Sequence, residues 1–373
     1  MKKIIISLFS ILLGFLIGGI VLKLSGISPL EAYKVMFYGS FSQPNYISYI
    51  IIRSTPLIFT GLSVAFAFKT GLFNIGAEGQ FITGALAATF LGYYFNFNPW
   101  LQIPLVIIVG TFAASLYGGL AGFFKARFGV HEVLSTIMLN WLALYISNYF
   151  VFYEGIRRPD TETTEFINQS SSLTLFEDWK ISEVGIEWLN QHEILKSFMR
   201  PPVNAGIFLA LIAVIVVWVI LEKTSFGFKL KATGFSLLAS KYAGINTNAK
   251  MTQSMMISGA LAGMAGVTHV MGVSKNVAVL AAHEGYGFDG IAVALIGSTH
   301  PFGVLLSSFF LGTLKYGGQK IQSALEAPSE VISIMIGVII FFIAIPSVLE
   351  LPIEKIKTFF SNRRLQKQVN THE

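Results

Sequence analysis

Residues 69–88 read KTGLFNIGAEGQFITGALAA, and their reading decides the fold. The stretch is apolar enough for a membrane, yet it carries Asn74, Glu78 and Gln80 and is broken by Gly71, Gly76, Gly79 and Gly84. A carboxylate at the centre of a bilayer costs about 2.5–3.5 kcal/mol on insertion scales, so such a residue faces a cavity, a partner helix or a solute path. Glycines let backbones approach closely, or let a helix unwind where it lines a cavity. The pattern predicts a membrane helix with a polar, interrupted entrance. A tightly packed helix whose polar groups only bond to its neighbours is the competing reading.

Working outward, the rest of the chain is of the same kind. It has 373 residues, of which 53% are hydrophobic and 12% charged, and a mean hydropathy of +0.65. Soluble domains carry about 25% charged residues, so this composition specifies an all-α polytopic membrane protein. There is no cysteine, which excludes a disulfide framework and a thiolate metal site. Met1-Lys2-Lys3 precedes an apolar run with no small-residue cleavage site after it, so the run reads as an uncleaved first span.

A span needs roughly 20 apolar residues, and that rule gives about ten candidates. They are Ile4–Leu22, Ile47–Phe68 (interrupted by Arg53 and Pro56), Gly71–Tyr93, Leu101–Phe124, Val133–Tyr153, Val203–Leu221, Met251–Val273, Gly285–Gly297, Phe302–Tyr316 and Val331–Leu349. Between Lys275 and Thr313 two short spans compete with one span and a re-entrant segment. The chain then divides into a first helix with an external loop (1–46), helices two to five (47–153), a polar insert (154–202), a sixth helix (203–222), a basic loop (223–250), helices seven to ten (251–349) and a basic tail (350–373). The insert holds nine acidic and five basic residues between Glu154 and Arg200. It reads as a small partly ordered unit with a short helix near Ile186–Leu195.

Lys and Arg mark the cytoplasmic side of a membrane protein. Lys2/Lys3, Lys125/Arg127, the Lys223–Lys250 loop and the tail share one side if the span count is even. Both termini are then cytoplasmic and the net-negative insert is extracellular. The starts of the third and eighth spans, NIGAEGQ and EGYGFDG, are both short, glycine-broken and acidic. Paired interrupted helices of this sort suggest an inverted repeat around a translocation path. Candidate path residues are Asn74, Glu78, Gln80, Asn140, His269, Glu284 and Asp289.

Catalytic signatures are missing. There is no G-x-x-x-x-G-K-[ST] to cradle ATP phosphates and no G-x-S-x-G nucleophile elbow. His131-Glu132, His192-Glu193 and His283-Glu284 lack the second histidine of a zinc-protease helix, so no metal is expected. Lys231–Ile245, KATGFSLLASKYAGI, predicts a short cytoplasmic helix. Ser236 caps its start, Leu237, Leu238 and Tyr242 give it an apolar face, and Gly244 ends it. Such a helix requires a partner surface or a lipid surface.

Four motifs, GLFNIGAEGQ, EVLSTIMLNWLA at Glu132–Ala143, KATGFSLLASKYAGI and GYGFDGIAVALIG at Gly285–Gly297, together resemble the permease subunits of bacterial ABC importers for branched-chain amino acids, ribose-type sugars and nucleosides. The combination is most similar to the larger permease subunit of the nucleoside-uptake branch. The resemblance implies a non-catalytic pathway subunit in the bacterial cytoplasmic membrane. It implies pairing with a second, similar permease as a heterodimer, a cytoplasmic ATP-binding subunit that uses ATP and Mg, and a lipid-anchored extracellular binding protein. No cofactor is expected on this chain and no nucleic acid as partner. Lys231, Gly234, Ser236, Leu237, Leu238, Tyr242 and Gly244 fall on the family's ATPase-docking helix, with Lys231 and Ser236 where arginine and asparagine are common. The same machine carrying a simple sugar or a branched-chain amino acid, and an ion-coupled secondary transporter, are the alternatives.

Overall fold

The computed structural model describes residues 2–344. The basic tail and the end of the tenth expected span lie outside the described residues. In chain order the helices are α1 (Lys2–Leu24), α2 (Pro29–Phe41), α3 (Pro44–Lys69), α4 (Ala77–Tyr94), α5 (Pro99–Phe128), α6 (Glu132–Val151), α7 (Glu177–Ile181), α8 (Glu183–Asn190), α9 (Glu193–Met199), α10 (Gly206–Lys223), α11 (Ser225–Phe235), α12 (Leu237–Tyr242), α13 (Thr247–His269), α14 (Tyr286–Ile296), α15 (Pro301–Leu325) and α16 (Ser329–Ala344). Among the described residues there is no β-strand, only isolated bridges.

Among the described residues five helices are long and apolar enough to cross a membrane: α3, α5, α6, α10, and α13 with the π-helical turn that follows it. The pair α1 and α2, bent by 117°, makes a sixth if counted as one span. The expected count of about ten exceeds this, because α14 and α16 are short and α4 starts late. The Pro29–Phe41 helix was expected to be a loop. Pro29 sits at its first position, where the missing N–H costs nothing, and Ala32 N donates to Ser28 O at 2.9 Å.

The described residues form two compact units, one of Gly39–Tyr316 and one of 2–38 with 317–344. In the larger unit local chemistry sets the helix ends. Asn98 accepts from Trp100 N ahead of α5, and Gly129 at φ 70° closes it. Asn246 accepts from Ala249 N at 3.0 Å at the start of α13. α13 is the central helix, packed on α3, α4 and α5. Its crossing with α4 is a backbone contact: a methyl on Gly84 would lie 2.7 Å from Gly263 Cα. Only glycine permits that approach, which is how helices associate where lipid provides no hydrophobic drive. Against α3, the seam is made of hydroxyls, Ser63 with Ser258 at 2.9 Å and Thr70 with Ser254 at 2.8 Å.

After α13 the chain does not turn back as a full helix. A π-helical turn, Val270–Ser274, ends at Lys275 in the left-handed region, φ 63°. Residues 275–285 then run back into the bundle without helix, and α14 begins inside it. Leu280 N is held by Asn148 Oδ1 at 2.8 Å, and five residues on Gly285 N reaches Glu78. The polar insert packs over this descending stretch. Thr164 N donates to Val277 O, Ile167 N to Lys275 O and Leu173 N to Met271 O, at 2.8–2.9 Å. The single helix expected near Ile186–Leu195 is two, α8 and α9. Ser182 caps the first, accepting from Gly185 N at 3.1 Å, and the backbone breaks at His192.

In the smaller unit α1 packs on α16. The Gly14/Gly18 spacing serves this contact: Gly14 lies against the Ile339 backbone and Gly18 against Met335 and Tyr33.

Candidate functional site

The NIGAEGQ stretch forms a polar knot rather than a simple helix entrance. Residues 70–76 are non-helical and α4 starts at Ala77. Asn74 and Gln80 exchange amide hydrogen bonds, Asn74 Nδ2 to Gln80 Oε1 at 2.8 Å and Gln80 Nε2 to Asn74 Oδ1 at 3.1 Å. Asn74 Nδ2 also donates to Ser258 Oγ at 2.7 Å, tying the knot to the hydroxyl seam. Asn140, from α6, clamps the same backbone: it accepts from Gly79 N at 2.8 Å and donates to Ile75 O at 3.0 Å. Asn74, Glu78, Gln80 and Asn140 are all buried. In a bundle without bulk water every backbone donor needs such a partner, and these side chains are the partners.

Glu78 joins the two interrupted segments. Its Oε1 accepts from Gly285 N at 2.8 Å and its Oε2 from Gly287 N at 2.6 Å. Those are orphan donors at the start of α14. Glu78 itself lies in the first turn of α4. One carboxylate is therefore shared by two helix N-termini, whose dipoles both favour negative charge there. The approach needs Gly287, since a methyl on it would lie 2.5 Å from Glu78 Cα. The two motifs that read as a related pair are thus in direct contact, and α4 and α14 start from one point inside the bundle.

The other candidate residues lie elsewhere. Asp289, one turn into α14, pairs with Lys315 of α15. The His269 ring packs 5.8 Å from Phe81 and 5.3 Å from Tyr286, and Phe81 stacks on Tyr286 at 5.3 Å. His269 and Glu284 line one cavity of about 120 Å³. Glu284 is exposed, as are Phe288 and, on α6, Trp141 and Tyr145, and the ring of the adjacent His283 lies 4.8 Å from Trp141 and 5.6 Å from Phe288. An exposed carboxylate on an apolar bundle belongs on a water-filled path or a partner face, not against lipid. Among the described residues no group of three His, Asp or Glu is placed to hold a metal.

On α11 and α12, Ser236 accepts from Ala239 N at 3.3 Å and Gly244 takes φ +75°. Lys231 pairs with Glu222 at 3.0 Å. Gly234 lies against the backbone of Lys69 and Gly71, so the loop is held to the end of α3. Leu237 is 44% exposed, Leu238 73% and Tyr242 96%, and Phe235 joins them at 95%. Sequence reasoning missed Phe235, although its place beside Ser236 in the same motif was a sufficient signal. It also missed Lys315, whose partner Asp289 lies on a different helix.

Lys275 is the fastening of the insert. Its Nζ donates to Thr174 Oγ1 at 2.8 Å, to Met271 O at 3.1 Å, to Glu177 at 3.2 Å and to Ser172. Burial pushes the Glu177 carboxyl up, but the Ser172 hydroxyl and the Lys275 ammonium together hold it below the usual carboxylate range. A carboxylate whose folded pKa is depressed contributes stability above its unfolded pKa and loses it as pH falls through the folded one. Burial lowers the Lys275 pKa as well, against the pull of Glu177, so the clasp is strongest where both groups are charged. Limited proteolysis of the insert is expected to rise on acidification in the wild type. Glu177→Gln should be cleaved faster at neutral pH and show little further pH dependence. Equal cleavage of both proteins across the range would remove the clasp.

A bundle of apolar helices in which two helices start from a shared buried carboxylate defines a polytopic α-helical membrane protein of the transporter type. The chain belongs to the family described as Branched-chain amino acid transport system / permease component, which it matches over residues 46–344. It is 38% identical to the guanosine ABC transporter permease protein NupP of Bacillus subtilis, over 92% of this chain and 94% of that one. It is 32% identical to the nucleoside ABC transporter permease protein NupB of Lactococcus lactis, over 98% of each. A glucose ABC transporter permease protein of Haloferax volcanii is 26% identical over 90% of this chain and 85% of its own. No solved structure matches the chain.

Proposed function

We propose that this chain is the larger transmembrane permease subunit of an ATP-driven importer for nucleosides, in the bacterial cytoplasmic membrane. The observation that carries the substrate class is the similarity to the guanosine permease along nearly the whole of both chains. Similarity to the nucleoside permease NupB, again from end to end, supports it. The fold is in keeping with the role. A nucleoside is uncharged and offers hydroxyls, ring nitrogens and an aromatic face, which suit a path edged by Glu284, Trp141, Tyr145 and Phe288.

In this reading about ten spans, with both termini inside, leave the α11–α12 loop in the cytoplasm and the insert outside. The exposed Phe235, Leu237, Leu238 and Tyr242 then fit a groove of a separate ATP-binding subunit. That partner binds ATP and Mg, and this chain hydrolyses nothing. A second, similar permease completes the membrane part as a heterodimer. A lipid-anchored binding protein delivers the nucleoside to the insert face. ATP closure of the partners shifts the bundle between outward and inward states, which requires only that the states bind ATP subunits unequally.

Uptake of radiolabelled guanosine by cells with and without this chain tests the reading, with excess unlabelled uridine, ribose or leucine as competitors. Deletion is expected to remove the uptake, and only nucleosides should compete. Unchanged guanosine uptake with a deficit for ribose or leucine would overturn the substrate class and leave the permease.

A further inference from the structure

We infer that the cavity between α4, α6, the π-helical turn and the descending stretch is a binding pocket for the heterocyclic base of the transported nucleoside. It rests on the nucleoside reading above and adds where, and by which groups, the membrane subunit holds its substrate.

The cavity is lined by Phe81, Ser147, His269, Ser274, Leu280 and Glu284, with a volume of about 120 Å³. That is room for one ring system rather than a whole nucleoside. Two of its hydroxyls are unsatisfied. Ser147 is fully buried on α6, and its Oγ has no hydrogen-bond partner. The Oγ of Ser274, the last residue of the π turn, is also buried and unpartnered. Buried hydroxyls are ordinarily bonded, and an unmade bond costs about 1–3 kcal/mol. Many serines and threonines in the described helices meet that need by donating to a carbonyl one helical turn back, as Thr83 does to Gly79 and Thr89 to Ala85. Ser147 and Ser274 do not, and both line the same cavity.

The remaining lining matches a base. Phe81, packed on His269 and Tyr286, brings an aromatic edge to the wall, and a base is a flat aromatic that such an edge can meet. His269 brings ring nitrogens, each a donor or an acceptor according to tautomer. Glu284 brings acceptors for exocyclic amino or ring N–H groups, and it is exposed, which places it at the mouth. A purine has ring nitrogens and exocyclic groups around its whole edge, so it can satisfy hydroxyls on opposite walls at once. A free pentose lacks the flat face and gains nothing from Phe81. The π turn that carries Ser274 is of a kind found frequently at functional sites. The pocket also lies under the strand-like stretch pinned to the insert, so a shift of the insert alters its wall.

The chain contains no cysteine, which gives a direct test. Ser147→Cys and Ser274→Cys, each made singly in the full chain, are near-isosteric and leave no buried hydroxyl unpaired. Ser182→Cys, in the insert, serves as control. Reconstituted protein is labelled with a small thiol reagent in the presence of guanosine or of ribose. Guanosine at about ten times its dissociation constant should slow labelling at positions 147 and 274 about tenfold, by mass action. Ribose should not slow it, and the control should be unaffected by either. Labelling at both positions that guanosine leaves unchanged, in a chain that still imports guanosine, overturns the pocket and leaves the permease reading intact: the cavity then holds water only. Failure of the reagent to reach either position also overturns it. A wild-type chain that imports no nucleoside removes the underlying reading, and the pocket with it.

Discussion

Glu78→Ala is expected to cause the largest loss of folded protein of any single substitution at the centre of the bundle. The side chain provides the partners for Gly285 N and Gly287 N, 207 and 209 residues away in sequence. Without it those donors are buried and unpaired, at about 1–3 kcal/mol each. The anion at two helix N-termini is lost as well, an effect of up to about 2 kcal/mol in buried geometry. The relief from no longer burying a charge offsets part of this. Glu78→Gln keeps one acceptor oxygen but turns an amide N–H₂ toward the other donor, so it should fall between alanine and wild type. Thermal unfolding in detergent checks the order: wild type highest, then Gln, then Ala. If both variants unfold with the wild type while uptake fails, Glu78 is a solute ligand and not a structural lock. Gly287→Ala should resemble Glu78→Ala, because its methyl would separate the carboxylate from the donors.

A double substitution on the docking helix, Leu237→Asp with Leu238→Asp, should have the opposite signature. Uptake should fall to background while the melting of the isolated subunit hardly moves. Both side chains are exposed, and substitutions at such positions usually change stability by within about 0.5 kcal/mol. An aspartate in a desolvated groove, by contrast, leaves an unpaired charge in the interface. Co-purification of the ATP-binding subunit with the permease checks the cause. Retained co-purification with retained uptake would place the contact elsewhere on the loop.

How much of this was legible in the chain can be followed residue by residue. Apolar length found α3, α5, α6, α10 and α13 to within a few residues, because lipid demands long uninterrupted helices. Ser236 and Gly244 announced the ends of α12, since capping is a local property. The helix at Pro29–Phe41 was hidden because its charges, Glu31 and Lys34, look like a loop once length is the criterion. That Asn74, Glu78 and Gln80 need partners was visible from their cost in an apolar run. Their partners were not, because Glu78 pairs with backbone N–H groups, which every residue but proline carries. The pairing of Ser63 with Ser258, and the lack of a partner at Ser147, follow only from three-dimensional placement. A lone serine in an apolar helix reads the same in both cases.

The bundle is expected to move nucleosides only when its partners hydrolyse ATP. Guanosine accumulation in proteoliposomes holding the complete transporter, with ATP inside or absent and with the membrane potential collapsed by an uncoupler, tests it most directly. The account predicts accumulation that requires ATP hydrolysis and survives the uncoupler. Accumulation that ignores ATP and collapses with the uncoupler would contradict it and make this chain an ion-coupled carrier.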